Sequence, residues 1–456
     1  GVDGDGDQLR DLARVGGARL DEDQIAHGEA AVIDEGKIEV VEIPGRHEVL
    51  GPMYDPQEER WFFDMDQPHI VAIFGELGPS EQSSNNKMRH VFWVPEAILG
   101  RKRNKACTNF AYSIPDNERH SRGRETMKAQ ILHKAGVPFS LEEVPDPKPG
   151  PGEAVAKVLA CGAGLTIHHV RAGRAHAEFP IIIGHEITGE IVEVGTGGDT
   201  GGLKVGDPVT SYFYLTEGED KWTRLGHDPI SNANAGYIGR QIDGGYAEFI
   251  KLPVRNFIKL PEGLDWKGKP ADVGVITDAI ATPYKVLSRA RVAPTDTVAV
   301  FGAGGGLGVH QVMMAKWAHA RVIAVDVMAD KLKVCQDLGA DMVVDASNDR
   351  VVEEILDLTD GAGVDVAIDY VSTQSTAEQA VGSLGIRGRF VTLGGAGQPF
   401  TAPAPAMLAK ELELMGSRYC TRQQVVESLE LCARGEVWPL VTETYKLEEA
   451  ETVHAR

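Results

Sequence analysis

The stretch VAVFGAGGGLGVH, residues 298–310, constrains this chain more than any other. An apolar run ends in five glycines, and a segment with helical patterning follows directly. A glycine turn between a buried strand and a helix lets backbone approach a ligand closely, and it leaves the first helical amides without partners. What comes after repeats the pattern. "ARVIAVDV", "ADMVVDA", "VDVAIDYV" and "GRFVTLGG" are apolar runs suited to strands buried on both faces. "GVHQVMMAKWAHA" and "NDRVVEEILDLTDG" lie between such runs and read as helices. Strand and helix in alternation predict an α/β fold with a doubly wound parallel sheet.

The turn fits the pyrophosphate of a dinucleotide. Gly302, Gly304 and Gly308 form G-x-G-x-x-x-G, one residue longer than the usual dinucleotide fingerprint, and Gly305, Gly306 and Leu307 complete the loop. The next strand closes on Asp326, 18 residues past Gly308. A carboxylate there accepts the hydroxyls of an adenosine ribose and repels a 2′-phosphate, so NAD is expected over NADP. Lys331 completes the expected cofactor-binding set. The structural alternatives are a tight turn without a ligand and, for Asp326, a helix N-cap.

The texture differs upstream. From Met127 to about residue 276, β-type runs are broken by Pro and Gly turns, as in a mostly antiparallel domain. Residues 277–413 form the dinucleotide domain, and 414–456 return to the antiparallel one. Residues 36–126 read as a small β-rich N-terminal unit whose strands lie in "KIEVVEIPG", "HEVLGPMYD", "RWFFDMD", "PHIVAIFGEL" and "MRHVFWVPEAIL". It ends in the polar linker "IPDNERHSRGRE", 114–125, and the basic cluster "GRKRNK", 100–105, reads as a solvated face. Residues 1–35 carry ten acidic and three basic side chains and favour solvent over a core, so structure is expected to begin after them.

Charge narrows the partners. Acidic residues outnumber basic ones by 67 to 46, a net charge of -21, which opposes binding to nucleic acid or an anionic membrane and favours a small organic ligand. The five cysteines, 107, 161, 335, 420 and 432, contain no Cys-x-x-Cys pair, and a reducing, cytoplasmic setting is expected. Neither a membrane span nor a signal peptide is read in the sequence.

"GHEITGEIVEVG" (184–195), "GDPV" (206–209), "GGYAEF" (244–249) and the glycine turn follow one another in an order that resembles the medium-chain dehydrogenase/reductase superfamily, nearest to its zinc alcohol dehydrogenases. The resemblance runs from Met127 to the end. It implies a GroES-like β-rich catalytic domain, a Rossmann domain inserted in it, NAD in the cleft between them, and a homodimer or homotetramer. The chain stops at "ETVHAR", where the family runs on through a final strand.

Residues 161–169, "CGAGLTIHH", align with the family's C-G-V-C-H-T-D-L-H, whose second Cys binds the catalytic zinc. Gly164 stands at that position. Cys161 matches the first, non-ligating Cys and is read as a small buried hydrophobe. Thr166 and His169 match the hydroxyl and imidazole that carry the alcohol proton to solvent, while Ile167 replaces an aspartate. His185 matches the histidine ligand and Glu186 its neighbouring carboxylate. The remaining ligand falls on Asp278. The resemblance therefore implies Thr166, His169, His185 and Glu186 as catalytic residues, with His185, Glu186 and Asp278 as the ligands should zinc be retained. The expectation is that catalytic zinc is absent, because Gly164 offers no donor and Ile167 no support. Structural zinc is also expected to be absent, since 206–250 contains no cysteine.

Three functions remain open on these grounds. The first is an NAD-dependent dehydrogenase acting on an alcohol or carbonyl, with Thr166 and His169 carrying the proton. The second is a zinc-free enoyl reductase, whose conjugated substrate needs no Lewis acid. The third is a non-catalytic NAD-binding scaffold subunit.

Overall fold

The computed structural model describes residues 125–394 and 398–455 in full, together with the backbone of short strands between residues 30 and 113. The chain divides into two units, residues 1–105 with 172–174, and residues 106–171 with 175–456.

In the first unit three antiparallel pairs are formed by Ala30–Asp34 with Lys37–Val41, Met53–Asp55 with Arg60–Phe62, and Ile70–Ala72 with Val91–Trp93. The expectation that structure starts after residue 35 is corrected by the first of these. "AAVID" is β-branched enough to pair with "KIEVV" across a two-residue turn, despite the acidic composition around it. Residues 1–29, the basic cluster 100–105 and residues 114–124 of the linker lie outside the described residues.

The second unit contains two sheets that position the site. One is seven-stranded and largely antiparallel, built around the long strand Glu153–Ala163, which pairs with Ile187–Val194, Phe249–Pro253 and Phe110–Ser113. Phe110–Ser113 also pairs, in parallel, with Glu443–Tyr445. The strand at 110–113 therefore belongs to this sheet and not to the N-terminal extension in which the sequence reading put it. "FAYS" is too short to show which partner it serves, and only the neighbouring strands decide that.

The other sheet has six strands, all parallel, in the order Met342–Asp345, Arg321–Asp326, Thr297–Phe301, Val364–Asp369, Leu384–Thr392, Glu413–Gly416. Numbered along the chain this is 3-2-1-4-5-6, the doubly wound order, whose crevice opens at the carboxyl end of its first strand. Val298, Ala299, Val300 and Phe301 are all buried, as a strand covered on both faces requires. Burying a side chain such as Phe301 or Phe390 contributes about 1.5–3 kcal/mol.

The two sheets are joined by one helical run, so the boundary expected at residue 276 falls inside a helix. Pro270–Val275 continues into a π-helical turn, Ile276–Ile280, and then Ala281–Ala290. A π-turn carries one extra residue and recurs at functional sites, and Asp278 lies within it. The return segment contributes helix Arg422–Ala433, capped by Thr421, whose Oγ1 accepts the Gln424 amide at 3.2 Å while Gln424 accepts the Thr421 amide at 2.9 Å.

Candidate active site

At the end of Thr297–Phe301 the chain turns on Gly302, whose φ of +71° lies in the left-handed region that glycine adopts without cost. Helix Gly306–Trp317 starts after Gly305 with no side-chain cap, and a helix N-terminus of this kind favours an anion. A Cβ on Gly304 would overlap the Lys331 side chain, and one on Gly308 would overlap the carbonyl oxygens of Gly302 and Ala303. Gly308 lets helix Gly306–Trp317 pack closely on the turn, and Gly304 leaves room for Lys331 from helix Ala329–Asp337. Asp326 is buried, and its carboxylate accepts the amides of Gly304 at 2.8 Å and Met328 at 3.1 Å. It does not cap the following helix, whose N-cap is Met328. It holds the glycine turn to the second strand and retains lone pairs for a further donor. Lys331 is buried against the turn.

The second centre forms where the chain enters strand Ile187–Val194. Gly184 has φ +99°, and a Cβ there would stand 2.7 Å from both Cys161 Sγ and a ring carbon of Tyr246. This turn directs His185 and Glu186 inward, and both are buried. Ser211 Oγ donates to the His185 carbonyl at 2.8 Å, and the Gly162 amide donates to the Glu186 carbonyl at 2.8 Å. His185 Nε2 lies 3.7 Å from Asp278 Oδ2 and has no hydrogen-bond partner. Asp278 accepts instead from Thr282 Oγ1, one turn further along its own helix. The Glu186 carboxyl is pushed well above the usual carboxylate range by burial, and further by the negative charge of Asp278.

Thr166 lies on the short helix Leu165–Arg171, with His169 three residues on and so on the same face. Both are half-buried, while Ile167 points into the core at 2% exposure. The position that holds an aspartate in the family is here a packing residue. The helix is tied to the C-terminal helix Ala450–His454 by Arg171, which pairs with Glu451, and Glu451 also accepts the Phe139 amide at 2.9 Å.

The sequence reading did not find Tyr419. Its hydroxyl lies 2.9 Å from Thr166 Oγ1, across 253 residues of chain. Its φ of +45° is left-handed, a conformation that costs a bulky residue about 1–2 kcal/mol and collects at functional sites. The ring packs at a tilt against Phe213 at 4.9 Å and meets Tyr214 at 5.7 Å and His185 at 6.4 Å edge to face. Burial raises its phenol to about 12, with the charge of Asp278 as the next cause. The run "SYFYL" at 211–215 was the available signal for this aromatic wall, whereas nothing local to "SRYC" marks Tyr419.

The structure thus brings Thr166, His185, Glu186 and Asp278 into one region beside Gly164, and collects Gly302, Gly304, Gly305, Gly308, Asp326 and Lys331 at the end of the parallel sheet. Residues 150–262 match the alcohol dehydrogenase GroES-like domain family, and residues 306–434 match the zinc-binding dehydrogenase family. An NAD-dependent alcohol dehydrogenase of Sulfolobus acidocaldarius is 33% identical over 335 residues, 71% of this chain and 94% of that one. The chain belongs to the zinc-type alcohol dehydrogenase-like family of medium-chain dehydrogenases/reductases.

Its fold agrees with the crystal structure of the alcohol dehydrogenase from Aeropyrum pernix, 34% identical, with a TM-score of 0.66 over 72% of this chain and 96% of that one. Other members of the family differ in reaction. An acryloyl-coenzyme A reductase of Sulfurisphaera tokodaii is 29% identical over 332 residues, 71% of this chain and 94% of that one.

The family's two cofactors are unequally served by the residues present. The glycine cradle and uncapped helix fit a dinucleotide. The zinc position does not offer a matching donor set. Gly164 has no side-chain donor, Asp278 is engaged by Thr282, and among the described residues no three His, Cys, Asp or Glu side chains converge to hold a metal ion. In the lobe where the family carries structural zinc, Asp220 gathers the amides of Trp222, Thr223 and Asn232 at 2.8–2.9 Å. These bonds hold its carboxyl down at about 2.

Proposed function

We propose that this member of the family transfers a hydride between NAD(H) and the oxygen-bearing carbon of a small alcohol or carbonyl substrate, as a homodimer or homotetramer. The observation that carries this reading is the arrangement of Thr166, Tyr419 and His185. The Thr166 hydroxyl bonds the Tyr419 hydroxyl, and the Tyr419 ring meets His185, whose Nε2 is buried and without a hydrogen-bond partner. A buried polar nitrogen left unpaired costs free energy until a ligand satisfies it, which favours binding an oxygen there.

NAD supplies the hydride chemistry when bound. The chain's own residues do the rest. The turn at 302–308 and the amides starting helix Gly306–Trp317 hold the pyrophosphate, and Asp326 accepts the ribose hydroxyls. Thr166 takes or gives the proton of the substrate oxygen, and His169, on the same helix face, passes it toward solvent. The aromatic wall of Phe213, Tyr214 and Tyr419 excludes water from the reacting carbon. The donor set described above supports a site without resident zinc, so polarisation of the oxygen falls to His185 and Thr166.

A second reading, reduction of a conjugated carbon–carbon double bond, is favoured by Gly164, because such a substrate needs no Lewis acid. A turnover screen separates the two. Benzaldehyde, benzyl alcohol and crotonyl-coenzyme A are offered with NADH, NAD, NADPH and NADP as the direction requires. Reduction of benzaldehyde or oxidation of benzyl alcohol with the NAD couple is expected. Turnover of crotonyl-coenzyme A alone would replace the first reading by the second.

A further inference from the structure

Two hydroxyl groups, those of Thr166 and Tyr419, face each other at 2.9 Å, and either can be the donor. Each carries one O–H and two lone pairs. Their mutual bond consumes one O–H, and among the described residues neither hydroxyl makes another hydrogen bond to protein. One O–H of the pair is therefore uncommitted, and so are several lone pairs. Both residues are half-buried, so the pair can be reached by a small molecule.

The pair is held in place from both sides. The Tyr419 ring is enclosed by Phe213, Tyr214 and His185. The next residue, Cys420, donates from Sγ to the Thr277 carbonyl at 3.4 Å, and its own carbonyl accepts from Tyr212 OH at 3.4 Å. Tyr419 is thereby fixed between the π-turn that carries Asp278 and the aromatic strand region at 212–214. Thr166 is fixed through its helix by the Arg171–Glu451 pair. A donor pair that must not reorganise when charge develops on an oxygen needs this kind of support.

We propose that the Tyr419 phenol is a catalytic residue that binds the substrate oxygen jointly with the Thr166 hydroxyl, the two forming a preorganised clamp contributed by the first and last parts of the catalytic unit. This rests on the alcohol or carbonyl reading above. Proton transfer remains with Thr166 and His169. Tyr419 supplies a second hydrogen bond to the oxygen, at a site where Gly164 brings no metal ligand.

Tyr419→Phe tests the clamp, because it deletes the hydroxyl and keeps the ring in its aromatic packing. Benzamide serves as a non-reducible probe whose carbonyl offers the same acceptor, its affinity for the enzyme–NADH complex read from quenching of nicotinamide fluorescence. The Phe variant should bind benzamide about tenfold more weakly and lose at least about tenfold in kcat/KM for benzaldehyde, with NADH affinity within about twofold of the parent. Thr166→Val should cost less in the Tyr419→Phe background than in the parent, since the two hydroxyls act on one atom. Should the Phe variant not fold, 3-fluorotyrosine at position 419 keeps the hydroxyl, and its fluorine resonance should shift when benzamide is added to the NADH complex. Parent-like benzamide affinity and kcat/KM in the Phe variant, or an unmoved fluorine resonance, overturns the role of Tyr419 alone. A parent enzyme that reduces crotonyl-coenzyme A but neither reduces benzaldehyde nor oxidises benzyl alcohol overturns the underlying reading, and the clamp with it.

Discussion

Glu186 occupies the space beside Gly164: its Oε2 lies 3.3 Å from where a Cβ on that glycine would stand. The same carboxylate lies where a Cβ on Gly162 would overlap it. The loop that in the family presents a thiolate to zinc is here packed by an acidic side chain whose carboxyl is driven toward its neutral form.

The purified protein should accordingly carry well under stoichiometric zinc, and chelators should leave its turnover in place. Gly164→Cys should raise zinc content, because a thiolate would join His185 and Asp278, and a Cβ at this position would stand 3.3 Å from Glu186 Oε2, the end of a side chain that can turn aside. Metal analysis by mass spectrometry reads both. Stoichiometric zinc in the parent, lost with activity in His185→Ala, would overturn the zinc-free site.

NADH should bind at least about tenfold more tightly than NADPH. Asp326 has two tasks, so its variants should separate. Asp326→Asn keeps an oxygen for the Gly304 amide and should relax discrimination against NADPH with little loss of fold. Asp326→Ala also frees the glycine turn and should weaken both cofactors. Fluorescence titration decides, and equal affinities in the parent would remove the ribose role.

Acid should loosen the C-terminal anchor. His454 Nε2 lies 2.8 Å from the buried Tyr246 hydroxyl, and burial, aided by Arg171 and His168, holds its imidazole down at about 3 against 6.5 in the open chain. Between those values the unfolded chain binds more protons than the folded one, so stability rises with pH through this window and is lost as pH falls below about 6.5. His310, bonded to the Gly306 carbonyl at 2.6 Å and the Leu440 amide at 2.9 Å, acts in the same direction at about 4. The raised Glu186 carboxyl opposes both. The drop in Tm from pH 7 to pH 5 should be smaller in His454→Gln than in the parent, and an unchanged drop would show that this imidazole does not carry it.

A fragment starting at residue 106 should fold and bind NADH, whereas one starting at Met127 should be less stable. The shorter fragment lacks Phe110–Ser113, which lies between Glu153–Ala163 and Glu443–Tyr445 in the sheet, and its loss exposes backbone groups on both neighbours. Circular dichroism melts of the two fragments compare them. Equal Tm values would restore the boundary at the polar linker.

The sequence by itself determined the parallel sheet, the glycine cradle and the family. Each rests on a local rule: strands buried on both faces are apolar throughout, a helix packed on a tight turn admits only glycine at 308, and a signature such as "GHEITGEIVEVG" is contiguous. His185, Glu186 and Asp278 were also singled out from the sequence, because they sit in or near recognisable strings, and the fold buries all three. Tertiary structure alone decided the rest. Tyr419 meets Thr166 only because the return segment folds back across 253 residues, and no local pattern encodes that approach. Phe110–Ser113 joined the catalytic sheet because a four-residue strand takes its identity from the strands that hydrogen-bond it. Asp326 proved to brace the turn, since two backbone amides converge on its carboxylate once the sheet is assembled. Local propensity and periodicity are properties of neighbours in sequence, whereas hydrogen-bond partners and packed rings are properties of neighbours in space.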